Sequence, residues 1–149
     1  MKSRYGMEIR AATGAEAPGL AALLATAGYE IAPQVLASRL DAIRRESGTA
    51  LIAMEWGPPS GVVVLHWYRT LDADQFTAQI DTLYVGPDSR RRGIGRMLLK
   101  AASQTARVAG CDVLLLAVEA SDPSLAAFCR ATGFTEAGGR FGRPLRKSG

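Results

Sequence analysis

Apolar positions along the chain alternate between two spacings, one helical and one extended, and the switches mark out short elements. Met7 to Ala11 reads as a first strand. Thr13 and Glu16 then fit a capping box, in which side chains close two orphan amides at a helix start. Leu20, Leu23, Leu24 and Ala27 recur at helical spacing up to Gly28. Pro33 suits the first turn of a second helix, whose inward face is Leu36, Leu40 and Ile43. Thr49 to Glu55 and Val62 to Tyr68 are β-rich, and the turn Gly57-Pro58-Pro59-Ser60-Gly61 between them predicts a hairpin. Leu71 to Phe76 reads as a connection, Ala78 to Val85 as the next strand, and Gly86-Pro87 as its end.

The second half has a βαβ pattern. Ile94, Met97, Leu98, Ala101, Ala102, Thr105 and Val108 form one helical stripe ended by Gly110. Val113 to Val118 is an uninterrupted apolar run, which suits a strand covered on both faces. Leu125 to Thr132 predicts a short helix with Gly133 as its stop. Phe134 to Glu136 and Arg140 to Leu145 would then pair as a final hairpin through Gly138-Gly139. The predicted order is β-α-α-β-β-β-α-β-α-β-β, a single α/β (α+β, mixed-sheet) domain over residues 1–149 with its core at about 7–145.

Composition narrows the classes. At 149 residues with 48% hydrophobic and 21% charged positions, the chain can bury a sizeable core. A net charge of +4 is mild and argues for neither nucleic acid nor an acidic membrane. A basic nucleic-acid module using Arg90 to Arg92 and the tail from Arg140 to Lys147 would lack the interleaving of aromatic and basic residues that the common RNA-binding modules have. No apolar run approaches the roughly 18 residues of a membrane span, and the N-terminus lacks a secretion signal's apolar core, so a cytoplasmic setting is expected. Cys111 and Cys129 make no disulfide framework, and one histidine makes no multi-histidine metal site.

The segment Tyr84-Val85-Gly86-Pro87-Asp88-Ser89-Arg90-Arg91-Arg92-Gly93-Ile94-Gly95-Arg96 carries the most chemistry. A strand ends, a turn follows, and a long amphipathic helix starts at two glycines. Helix N-termini present unpaired amides and partial positive charge, and glycine lets a phosphate approach the backbone. The arginines add charge-assisted donors. No Gly-Lys-Ser/Thr follows, and Leu98 stands where a dinucleotide fingerprint needs its third glycine. On spacing alone, the alternatives are a pyrophosphate cradle and a solvated basic cap.

The run Ile80-Asp81-Thr82-Leu83-Tyr84-Val85-Gly86-Pro87, followed by Arg90-Arg91-Arg92-Gly93-Ile94-Gly95, resembles the acetyl-CoA signature of the GNAT N-acetyltransferase superfamily. Arg90, Gly93 and Gly95 fill that signature's fixed positions. Phe128-Cys129-Arg130-Ala131-Thr132-Gly133-Phe134 resembles a second family motif, with Cys129 in place of its tyrosine. With the element order, the resemblance spans nearly the whole chain.

It implies the GNAT-like acyl-CoA N-acyltransferase fold and acetyl transfer from acetyl-CoA to a primary amine of a small molecule or exposed peptide. The implied cofactor-binding groups are backbone of Leu83, Tyr84 and Val85 for the pantetheine arm, and Arg90, Arg91, Arg92, Gly93, Ile94, Gly95 and Arg96 for the pyrophosphate. A cleft is implied where the strand 113–118 splays from its neighbour. The amine is expected over the first two helices and the loop at 71–76. Membership is compatible with a homodimer, and with the alternative of a CoA-binding regulatory domain that lacks turnover. Asp81, read as sharing a strand face with Leu83 and Val85 and so as partly buried, is the first candidate for the general base. Glu119 is the second, and His66 is a candidate for the cleft lining. For the acid that protonates the leaving thiolate, Cys129 and Tyr84 are the candidates, each with a competing packing role. Asp122 is placed to cap the helix beside Pro123.

Overall fold

The computed structural model describes residues 6–90, 92–117, 123–136 and 143–145. Two compact units divide the chain, Met1–Ala117 and Val118–Gly149. The first holds a five-stranded sheet in the order β1 (Glu8–Ala11), β2 (Gly48–Met54), β3 (Gly61–Arg69), β4 (Phe76–Val85) and β5 (Cys111–Leu116). The first three pairings are antiparallel and β4–β5 is parallel. A parallel pair needs a crossover, and α3 (Ile94–Val108) supplies it.

One face of the sheet is covered by α1 (Ala17–Ala25) and α2 (Pro33–Arg45). Leu20, Leu23, Leu36 and Leu40 from these helices pack with Ala50, Ile52 and Val62 from the strands. The entry to α1 is the capping box: Thr13 Oγ1 accepts the Ala15 amide at 3.3 Å, and Glu16 Oε1 accepts the Thr13 amide at 3.0 Å. Pro33 stands in the first turn of α2, where no amide is missed. On the other face lies α3, whose Ile94 and Leu98 approach Gly61 so closely that a Cβ there would meet them at 3.1 and 3.0 Å. The sheet is thus the middle of three layers.

Most predicted elements are present, with displaced edges: Phe76, read as connection, begins β4, and β5 starts and ends two residues early. The stripe on α3 ends sooner than its pattern, because Val108 is 86% exposed in the last turn while Leu99 and Ala106 are buried instead. β5 is not covered on both faces: Asp112 is exposed and Val113 is 43% exposed. An apolar run has no period, so it cannot say which of its residues the neighbours reach.

In the second unit, α4 (Pro123–Ala131) ends in a paired cap: the Phe134 amide donates to Cys129 O at 2.9 Å and the Gly133 amide to Arg130 O at 3.3 Å. That cap corrects the predicted final hairpin as far as it is visible. Phe134, read as a strand start, spends its amide on the helix end, and neither 134–136 nor 143–145 is strand; 137–142 lie outside the described residues. Glu119, Asp122 and Arg91 also lie outside them.

Candidate active site

The site is organised by an irregularity in β4. Val64 pairs with Thr82 but Leu65 with Ile80, so Asp81 is an extra residue with no partner on β3, a β-bulge. Strict alternation would have placed Asp81 with Leu83 and Val85. The bulge overturns that expectation. Asp81 Oδ2 instead meets His66 Nε2 at 2.6 Å, and Oδ1 accepts the Thr82 hydroxyl at 2.9 Å. The expected partial burial is absent too: the Asp81 side chain is 44% exposed and that of His66 37%. His66 is opposite Gly48 on β2, and a Cβ on Gly48 would stand 2.9 Å from His66 Nδ1 and 3.1 Å from Ile43 Cγ2. The imidazole therefore lies across a strand position that only glycine leaves open.

At the same place the pairing with β5 ends. The β4–β5 register runs from Phe76↔Cys111 to Ile80↔Leu116, and among the described residues 81–85 have no partner on β5. Arg90 reaches back into this segment, its Nε donating to Val85 O at 3.2 Å and its guanidinium lying 5.9 Å from the centre of the Tyr84 ring.

Beyond β4 the chain makes a single turn, Pro87–Ser89, and enters α3 through Gly93. Gly93 has φ +77°, which side chains with a Cβ rarely adopt, and nothing lies within 4 Å of where its Cβ would be. The first hydrogen bond of α3 is the Met97 amide to Gly93 O at 3.1 Å. The amides of Ile94, Gly95 and Arg96 thus have no partner inside the helix, and the helix dipole points its positive end the same way. Ile94 is buried and fixes the first turn to the sheet, while Arg96 is exposed. Arg92 is paired with Glu55 at the end of the β2–β3 hairpin.

Both acid candidates can be judged by their protons. Thr26 Oγ1 has one proton, and it goes to Leu23 O at 2.6 Å, because a carbonyl can only accept. The 2.7 Å contact between Thr26 Oγ1 and Tyr84 Oη must then be donated by Tyr84. The Tyr84 proton is held by α1, and its ring packs on the α1–α2 cluster. Cys129 is buried in α4, and burial pushes its thiol above the ordinary range, partly offset by Arg130. Burial, aided by Asp112, does the same to Cys111.

Four residues of this geometry had no place among the sequence candidates: Gly48, Thr82, Glu55 and Thr26. Glu55 stands 37 positions from Arg92 and Thr26 58 from Tyr84, so no local spacing links them. Gly48 carried the one available signal, a glycine opening a β-rich run.

The sequence profile of the acetyltransferase (GNAT) family matches residues 19–134, from α1 through α4. The chain belongs to the GNAT acetyltransferase family. Solved GNAT-like structures superimpose over nearly its whole length. An acetyltransferase from Trypanosoma brucei is 19% identical with a TM-score of 0.80, over 93% of this chain and 99% of that one. An aminoglycoside acetyltransferase from an uncultured soil metagenomic sample, in complex with sisomicin, is 18% identical with a TM-score of 0.78, over 95% and 97%. A transcriptional regulator from Bacillus halodurans is 18% identical with a TM-score of 0.82, over 93% and 99%. At such identities the likeness is one of fold. No curated protein sequence matches the chain. In this GNAT acetyltransferase, no helix among the described residues is long and apolar enough to cross a membrane.

Proposed function

We propose that this acetyltransferase moves the acetyl group of acetyl-CoA to the primary amine of a small molecule. The observation that carries the reading is the entry to α3. An open glycine at φ +77° precedes three amides with no partner inside the helix, directly behind a strand whose last five residues have no β5 partner among the described residues. The donors fit a pyrophosphate: the amides of Ile94, Gly95 and Arg96 point outward at a positive helix end, and Arg90 and Arg92 flank them. Arg92 is shared with Glu55, so its charge reaches the ligand partly neutralised. The backbone of Leu83, Tyr84 and Val85 would take the pantetheine arm.

Acetyl-CoA supplies an activated acyl carbon and a sulfur leaving group. The chain's own task is to present the amine in its free-base form, because an alkylamine is mostly protonated at neutral pH. The Asp81–His66 pair, beside the end of the β4–β5 pairing, would take that proton. A strand amide near Val85 is suited to the carbonyl oxygen as charge builds on it. The leaving thiolate needs no dedicated acid from Tyr84, whose proton is committed to Thr26.

The test is an amine panel, aminoglycosides and short peptides included, assayed by thiol release from acetyl-CoA. Turnover with a small amine supports the reading. Acetyl-CoA binding by calorimetry without thiol release from any amine would leave a CoA-binding regulatory domain, and turnover with peptides alone would move the substrate class.

A further inference from the structure

The geometry points to His66 as the group that takes the amine proton, through Nδ1, with Asp81 as the residue that positions it. The inference rests on the acetyltransferase reading above and goes beyond it by separating two roles within one pair.

Three observations carry it. Asp81 is already engaged at both oxygens, by Thr82 at Oδ1 and by His66 at Oδ2. A carboxylate can only accept, so His66 Nε2 donates to it, and in the neutral ring the lone pair is then on Nδ1. Nδ1 is also the nitrogen that faces Gly48, where any other residue would put a Cβ 2.9 Å away. Glycine at 48 thus lets the ring lie where it does, with Nε2 tied to Asp81. Finally, the bulge that turns Asp81 onto the ring falls where β5 leaves β4. A base oriented by a carboxylate, whose second oxygen is itself held, is the arrangement that fixes an imidazole's tautomer.

The groups packed around the ring leave the assignment simple. From β4, Asp81 contacts the ring and Gln79 stands opposite it; from β2, Gly48 lies beside Nδ1, with Ile43 of α2 next to Gly48, and none of Gln79, Gly48 and Ile43 carries a charge. The proton balance is as follows. An ammonium gives one proton to Nδ1 and becomes a free amine. Its lone pair forms the C–N bond to the acyl carbon, and the C–S bond breaks with its pair on sulfur. The proton then shed by nitrogen balances the thiolate, and the imidazolium returns its own to water.

The test uses the full chain and two variants. His66→Gln keeps an N–H for Asp81 and removes the basic nitrogen. It should lower kcat by about 10²-fold, typical of a lost acid–base group, with acetyl-CoA affinity by calorimetry unchanged. Asp81→Asn should cost less. The chain has one histidine, so its ¹⁵N signals need no assignment. They should show the proton on Nε2 in the wild type and a mixture of tautomers in Asp81→Asn. His66→Gln with near wild-type kcat, or Asp81→Asn as the more damaging change, overturns the assignment; the second result makes the carboxylate the base. If the wild type binds no acetyl-CoA, the acetyltransferase reading fails. The ¹⁵N spectra then still judge the pair, and a proton on Nδ1 sinks it.

Discussion

The two sides of the β4 terminus are made of different material. On the side proposed for the cofactor, the entry to α3 is backbone: a left-handed glycine and three amides with no partner inside the helix. On the side proposed for the amine, the Asp81–His66 pair is made of side chains from two strands, set by a bulge and by a glycine on a third. Backbone sites depend on conformation and tolerate most side-chain changes. Side-chain sites depend on identity at two or three positions and on what lets them meet. The difference predicts which substitutions disable which side.

The largest effect should come from Gly93→Val. A β-branched residue at φ +77° is strained by about 1–3 kcal/mol, and the open space around its Cβ offers no packing in return. The expected outcome is a loss of acetyl-CoA affinity of tenfold or more in calorimetry, with a lower Tm. The histidine ¹⁵N signals should stay as in the wild type. A change in those signals as large as the loss in affinity would show that the two sides are not separable.

Gly48→Ala strikes the other side. Its methyl would meet His66 Nδ1 at 2.9 Å and Leu65 O at 3.0 Å, so the ring must move. Turnover should fall by roughly tenfold or more, the scale of a lost acid–base contribution, while acetyl-CoA affinity stays near the wild-type value. Unchanged turnover in a folded Gly48→Ala protein would show that the position of the His66 ring does not matter to the reaction.

Tyr84→Phe should matter less. It removes a donated hydrogen bond to Thr26 worth about 1 kcal/mol, seen as a small drop in Tm. Turnover should hold, because the lost proton was not available to a thiolate. A large fall in kcat at unchanged stability would return Tyr84 to the chemistry.

The smallest effect is a rate of modification. Burial raises the thiols of Cys111 and Cys129, so less thiolate is present at pH 7 to 8 than in an exposed cysteine. Iodoacetamide should label the native protein far more slowly than the denatured one, and the rate should still be climbing above pH 9. Fast labelling of Cys129 at pH 7 would revive an active role for it.

Legibility followed the same division. The β4–α3 loop could be read from the chain because its parts are adjacent: Pro87, Gly93 and the stripe beginning at Ile94 follow one another. The capping box at Thr13 and Glu16 and the helix stop after Ala131 were legible for the same reason. The face of Asp81 was not. One extra residue reverses the alternation of a strand, and a bulge leaves no local signature when both flanks are β-rich. Nor could the sequence pair His66 with Asp81, since the contact arises only once β3 and β4 are in register. Val108 was misplaced because a helical period continues past the point where the sheet beneath it ends.

The Arg92–Glu55 ion pair bears on the speed of encounter as well as on the strength of holding. A coenzyme with several phosphate charges is drawn in by the field of the loop over about 8–10 Å at ordinary ionic strength. Glu55 cancels one of the charges that make that field. Neutralising it as glutamine should therefore raise the association rate constant more than it lowers the dissociation rate, and the gain should fade in high salt. The turn between β2 and β3 would then regulate how often the coenzyme arrives.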